Sequence, residues 1–217
     1  MTLVAADWVT ISALATAGGT LVLAVATFSS VRSANRTARI AERSLLAGQR
    51  PVLIPSREGD PIERVRFGDG QLLNVSGHGG AIETENGNLY MAIALRNGGS
   101  GVAVIHGWRA TFAPRITQDQ PDPAGFRRQA RDLFIAAGET GFWQGAIRDR
   151  DDPDYAPVRA AAEAGERVVV DLLYGDHEGG QRAIARFTIA PWPEVEGGRA
   201  DVLRYWTVDG DDPRQAY

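Results

Sequence analysis

The sequence predicts a mainly β protein: an N-terminal transmembrane helix extended into a juxtamembrane helix (residues 1–50), then an antiparallel β-sandwich (residues 51–217) with one long insertion at about 113–165. Three observations predict it. From Trp8 to Val31 there are 24 consecutive uncharged residues, bounded by Asp7 and Arg32. From Arg32 to Leu46 there is no proline or glycine, and alanine, arginine, glutamate and leucine favour a helix. After Pro51 the apolar period changes to two, and glycines and prolines interrupt the chain at short intervals.

As a helix, the uncharged run spans about 36 Å at about 1.5 Å per residue, enough to cross a hydrocarbon core of about 30 Å with some tilt. Its 15 apolar residues are diluted by Gly18, Gly19, four threonines and three serines, hydroxyls that a membrane helix satisfies on its own backbone. A signal peptide needs a basic leading region, and Asp7 is the only charged side chain ahead of the run. A core helix rarely runs that far without a charge. A membrane anchor in the lipid bilayer is therefore expected.

Residues 32–50 carry Arg32, Arg36, Arg39, Arg43 and Arg50 against Glu42 alone. The positive-inside bias then places the C-terminal side in the cytoplasm and the amino terminus outside, in the inner (cytoplasmic) membrane as a single pass. Arginines so placed also attract anionic headgroups, by about 1 kcal/mol each. The helix is expected to continue to Gly48, where glycine and the Arg50-Pro51 step end it. Along it Ala13, Ala17, Thr20, Ala24, Thr27, Val31, Ala34, Ala38, Ala41 and Leu45 recur at alternating spacings of four and three. That register is small within the membrane and apolar beyond it, which predicts a self-association seam and a homo-oligomer.

Strands are expected at 52–54, 62–67, 71–75, 88–96, 102–112, 131–136, 142–147, 167–174, 181–190 and 202–208. The clearest hairpin joins Arg167–Tyr174 to Gln181–Ala190 through the Gly175–Gly180 turn. The second arm alternates imperfectly, so one of its faces is expected to be only partly buried. Residues 113–165 read as a decorated connection covering one mouth of the sandwich, with a polar loop and the helix-like VRAAAEAGE.

Composition limits the chemistry. All 23 basic residues are arginine, and the absence of cysteine excludes disulfides, thiolate metal sites and cysteine nucleophiles. Residues 51–217 are net acidic by seven charges, which argues against a nucleic-acid surface. Asn97-Gly98-Gly99-Ser100-Gly101 lacks the spacing of a phosphate loop and reads as a turn. His78, His106 and His177 fit no metal spacing, and in Asp149–Asp154 proline and aspartate replace residues a calcium loop requires. No nucleophile elbow is present, so neither an enzyme nor a cofactor is expected. Trp143, Tyr174 and Arg182 are the candidate ligand residues, two rings and a guanidinium able to stack on a small nucleotide-like anion. Trp192, Tyr205 and Trp206 read as core.

Through LRNGGSGVA (Leu95–Ala103), GETGFWQGAIRD (Gly138–Asp149) and VDLLYGDHEGGQR (Val170–Arg182), the chain resembles a group of uncharacterised single-pass membrane proteins of high-GC Gram-positive bacteria. That group carries no function to transfer. In layout alone, one membrane helix before a cytosolic β domain, it is similar to transmembrane antiphage effectors of the Pycsar type. That likeness implies a cyclic mononucleotide bound by the cytosolic domain and membrane segments that cluster to damage the inner membrane. The alternative expectation is a non-enzymatic anchored adaptor whose sandwich binds a protein partner.

Overall fold

The structure, a computed structural model, describes residues 3–113, 115, 117–192 and 195–209. The chain divides into two units between Ala47 and Gly48.

The first unit is helical: α1 runs from Leu3 to Gly48, 46 residues without a break, its last residue being the first of the second unit. Trp8, Val9, Ile11, Leu14, Leu23 and Phe28 are all exposed on it and point in different directions around the axis, so the segment is apolar all round. Such a surface needs lipid or other helices around it. The hydroxyls of Ser12, Thr16 and Thr20 donate to the carbonyls of Val9, Ser12 and Thr16 at 2.9, 2.8 and 2.8 Å, which removes their cost in hydrocarbon. Among the described residues this is the one helix long and apolar enough to cross a membrane. Ala13, Ala17, Thr20 and Ala24 line one shallow groove of the helix together with Val9 and Leu21. Thr27, Val31, Ala34, Ala38, Ala41 and Leu45 follow at the same spacing, and all are exposed.

The second unit comprises β1 (Leu53–Pro55), β2 (Glu63–Arg66), β3 (Leu72–Val75), β4 (Gly80–Glu85), β5 (Asn88–Asn97), β6 (Ala103–Thr111), β7 (Arg127–Ile135), β8 (Thr140–Ile147), α2 (Tyr155–Glu163), β9 (Val168–Gly175), β10 (Ala183–Trp192) and β11 (Val195–Thr207). In the first sheet β5 pairs with β8 along one edge and with β1 and β4 in tandem along the other. The second sheet runs β11-β10-β9-β6-β7, antiparallel throughout. β2 and β3 form a separate hairpin. The fold is thus mainly β and sandwich-like.

Alternation decides what is buried. Leu89, Met91, Ile93 and Leu95 of β5 meet Val168, Val170 and Leu172 of β9 and Phe187 and Ile189 of β10 in the main core. Full burial of each such side chain contributes about 1.5–3 kcal/mol. The opposite face of β5, Tyr90, Ala92 and Ala94, is covered by Val65, Phe67, Leu73 and Val75 of the β2–β3 hairpin.

Two expectations are corrected. β10 is buried on both faces: Ile184 packs with Leu173 and Trp206, and Arg186 and Thr188 are also buried. The cause is the segment 117–126, which crosses this outer face. Arg186 Nη1 donates to the Thr117 carbonyl at 2.6 Å, Arg204 Nη1 donates to the Gln118 carbonyl at 3.0 Å, and Phe126 packs on Ile184 and Trp206. The first part of the 113–165 stretch therefore covers a sheet face, not a mouth. The rest supplies β7 to one sheet, β8 to the other, and α2.

The glycine-rich turn after β5 has a definite task. Asn97 is fully buried; its Oδ1 accepts from Val52 N and Gly99 N, and its Nδ2 donates to the carbonyls of Gly101 and Ile135. Ser100 N and Gly98 N donate to the Arg50 and Val52 carbonyls. A Cβ on Gly99 or Gly101 would overlap the carbonyl oxygen of Arg50 or Gln49. Residues 49–52 are thus fastened to the β unit directly after Gly48.

Candidate functional site

The three candidate ligand residues do not form a common surface. Trp143 and Tyr174 are fully buried in the main core, and neither ring offers a face to a ligand. Trp143 meets Trp108 edge to face at 5.5 Å, and Gly145 permits it, since a Cβ there would stand 2.6 Å from Trp143. The Tyr174 hydroxyl accepts from Leu53 N at 3.3 Å, and burial pushes its ionisation well above the usual tyrosine range. Arg182 lies on the surface, paired with Asp209 at 2.6 Å, and that carboxylate raises its pKa. Replacing Tyr174 by phenylalanine is expected to destabilise the β unit by about 1–3 kcal/mol in chemical denaturation, because Leu53 N–H loses its partner. An unchanged midpoint would remove this positioning role.

Of the three late aromatics, Trp206 is buried between Arg186 and Arg204, whose guanidinium carbons stand 4.9 and 5.8 Å from its ring centroid. Tyr205 packs against the main core, whereas Trp192 is exposed beneath Arg199 and is not core. His106 sits at a bulge where β6 loses register with both neighbours; burial first and Arg182 second lower its pKa. The Asp149–Asp154 turn is drawn onto Arg127, which Asp152 and Asp154 hold at 2.5 and 2.8 Å. Burial alone would depress Arg127; its two carboxylates outweigh that and raise it. No three of His, Cys, Asp and Glu group as metal ligands among the described residues.

The feature the sequence hides is a cleft of about 440 Å³ where the two sheets part. β7 and β8 follow one another through a short turn, yet β7 joins β6 and β8 joins β5. Between them the walls carry Arg127, Arg128, Gln129 and Arg131 from β7 and Gln144 from β8, with Arg148 just beyond it. Phe67, Gly68 and Trp108 add to the lining, with the small residues Ala130, Gly145 and Ala146 between them. The β6–β7 register jumps from Ile105↔Leu133 to Gly107↔Arg128, so residues 129–132 bulge out of the ladder.

The cleft's charges differ in their freedom. Arg127 is neutralised as above and lies over Trp108 at 5.2 Å. Arg148 is paired with Asp69 at 2.9 Å; a hydrogen bond from Tyr90, with Arg148 contributing, holds the Asp69 carboxyl down at about 2. Arg128 and Arg131 are exposed and have no carboxylate partner among the described residues, Arg131 resting over the Phe142 ring at 5.6 Å. Gln129 Nε2 donates to the Gln144 carbonyl at 2.9 Å. The Oε1 atoms of Gln129 and Gln144 are buried and unpartnered, and Gln144 is only 8% exposed. The arrangement offers cations at the rim and amide acceptors in the wall.

No family model, curated protein or solved structure matches the chain.

Proposed function

We propose that the protein is a membrane-anchored sensor and effector: a cytosolic β unit binds a small signal such as a cyclic nucleotide, and the transmembrane helices then assemble and impair the inner membrane, as in antiphage defence. It is a non-enzymatic reading, and it takes the anchor as single-pass with the amino terminus outside. The observation that carries it is α1 itself: it runs unbroken from Leu3 to Gly48, is long and apolar enough to cross a bilayer, and is followed by a folded β unit. Helices with a small-residue groove have a surface for self-association, and a ligand that binds better to an assembled form shifts the population toward it. The arginines that follow Val31 support the cytosolic placement.

The test uses the full chain reconstituted into dye-loaded vesicles containing anionic lipid. Addition of one of the 3′,5′-cyclic mononucleotides is expected to release dye, and Ala17→Leu with Ala24→Leu is expected to suppress the release. Intact vesicles with every cyclic mononucleotide would refute the effector reading. A second reading, a passive anchored adaptor, is favoured by the open edge of β7. A stoichiometric protein partner retained from detergent extracts without any nucleotide would support it.

A further inference from the structure

The geometry points to the cleft between β7 and β8 as the ligand site, and to its ligand as a small molecule in which a phosphoryl or similar oxyanion is joined to a flat ring carrying N–H donors. This rests on the sensor reading above and names the chemistry that the sensor recognises.

Three independent features converge there. The volume of about 440 Å³ falls within the range of about 300–1,000 Å³ usual for small-molecule sites. Arg128 and Arg131 bring positive charge that no carboxylate balances among the described residues, in a β unit that is otherwise net acidic. Guanidinium forks match phosphoryl oxygens in geometry as well as charge. Finally, Gln129 and Gln144 hold amide oxygens that are buried and unpartnered, an uncommon state for a polar atom. An amide oxygen cannot receive an anion; it receives a hydrogen bond. Rim and wall therefore ask for opposite chemistries, and one molecule satisfies both if its oxyanion stays at the mouth while its N–H edge enters.

The bulge at 129–132 explains how one strand delivers both. In a regular ladder these residues would alternate between the faces of the second sheet. With 129–132 released from pairing, Gln129 and Arg131 line the same cleft as Arg128, which is still paired with Gly107. The competing basic group on the other side of that sheet, Arg186 and Arg204, is already engaged by Asp171 and by the Thr117 and Gln118 carbonyls.

The test is calorimetric titration of the full chain in lipid nanodiscs with inorganic phosphate, guanosine, guanosine 5′-monophosphate and 3′,5′-cyclic GMP. At least one of the two nucleotides is expected to bind about tenfold or more tightly than phosphate or guanosine alone. Arg128→Gln with Arg131→Gln, both on exposed side chains, is expected to weaken that nucleotide by about tenfold or more. Gln144→Met is expected to lower nucleotide affinity while leaving inorganic phosphate unchanged. Absence of nucleotide binding, or binding untouched by the arginine pair, overturns the assignment. Vesicle leakage separates the two levels. Nucleotide binding to vesicles that stay intact defeats the effector reading and leaves the cleft standing. Leakage that survives Arg128→Gln with Arg131→Gln defeats the cleft and leaves the effector.

Discussion

Replacing Asp171 by alanine is expected to destabilise the β unit by about 3–5 kcal/mol. Asp171 and Arg186 sit directly opposite one another on β9 and β10, with side chains only 1% and 5% exposed. The contact is bidentate, Nε to Oδ1 at 2.6 Å and Nη2 to Oδ2 at 2.9 Å. Arg186 is further fixed by the Thr117 carbonyl and by the face of Trp206. Removing the carboxylate leaves a guanidinium that the covering segment 117–126 shields from water, so the change exposes the full desolvation penalty of a buried charge. The double replacement Asp171→Leu with Arg186→Met removes both charges and is expected to recover most of the loss. Urea denaturation of the full chain in detergent, followed by tryptophan fluorescence, reads both. A loss below about 1 kcal/mol for Asp171→Ala would mean that the outer face is open to water.

Asn97→Ala should be the second most damaging change, at about 2–4 kcal/mol, because one fully buried amide serves four backbone groups. Two of these belong to the turn and one to β7; the fourth is Val52 N, just before β1. Amide exchange at Val52 is therefore expected to accelerate more than at Val168–Val170 in the core of the second sheet. Gly101→Ala probes the same contact from the other side, since its new methyl would overlap the Gln49 carbonyl oxygen. Exchange at Val52 that stays as slow as in the core would show that this turn tolerates loss of the hub.

The frame of the molecule is legible in the sequence for physical reasons that particular elements show. α1 is readable because charge is absent from Trp8 to Val31, and proline and glycine from Arg32 to Leu46, over a combined length that only a membrane or a coiled coil requires. Most strands are readable because Val, Ile, Leu and Tyr alternate toward one core. β4 is not, because it begins on glycine and its exposed end reads Glu-Thr-Glu. Its turn was nevertheless written there: Asn86 at φ 52° and Gly87 at φ 78° make the two-residue hairpin that an Asn-Gly pair favours.

The site was much less legible. Trp143 has the same parity in β8 as the core residue Ile147, so alternation alone directs its ring inward. The cleft stays hidden because nothing in the sequence says that β7 and β8, joined by a short turn, pair with different strands. That they part into different sheets depends on the partners offered by β5 and β6. The Arg-Arg-Gln-Ala-Arg run looks like a solvated loop until the bulge gives it a common direction.

The hairpin of β2 and β3 leaves the first sheet and rejoins it at one point. Ser56 N donates to the Ala94 carbonyl, Ala94 N donates to the Gly79 carbonyl, and Ser56 Oγ accepts from His78 N. Residues 57–78 therefore form a lobe with a pinched neck, and that lobe contributes Phe67 and Gly68 to the cleft. Lengthening or recolouring it would remodel one wall of the cavity while the ladder at its base stays continuous, which makes it the natural place for ligand preference to diverge between otherwise alike scaffolds.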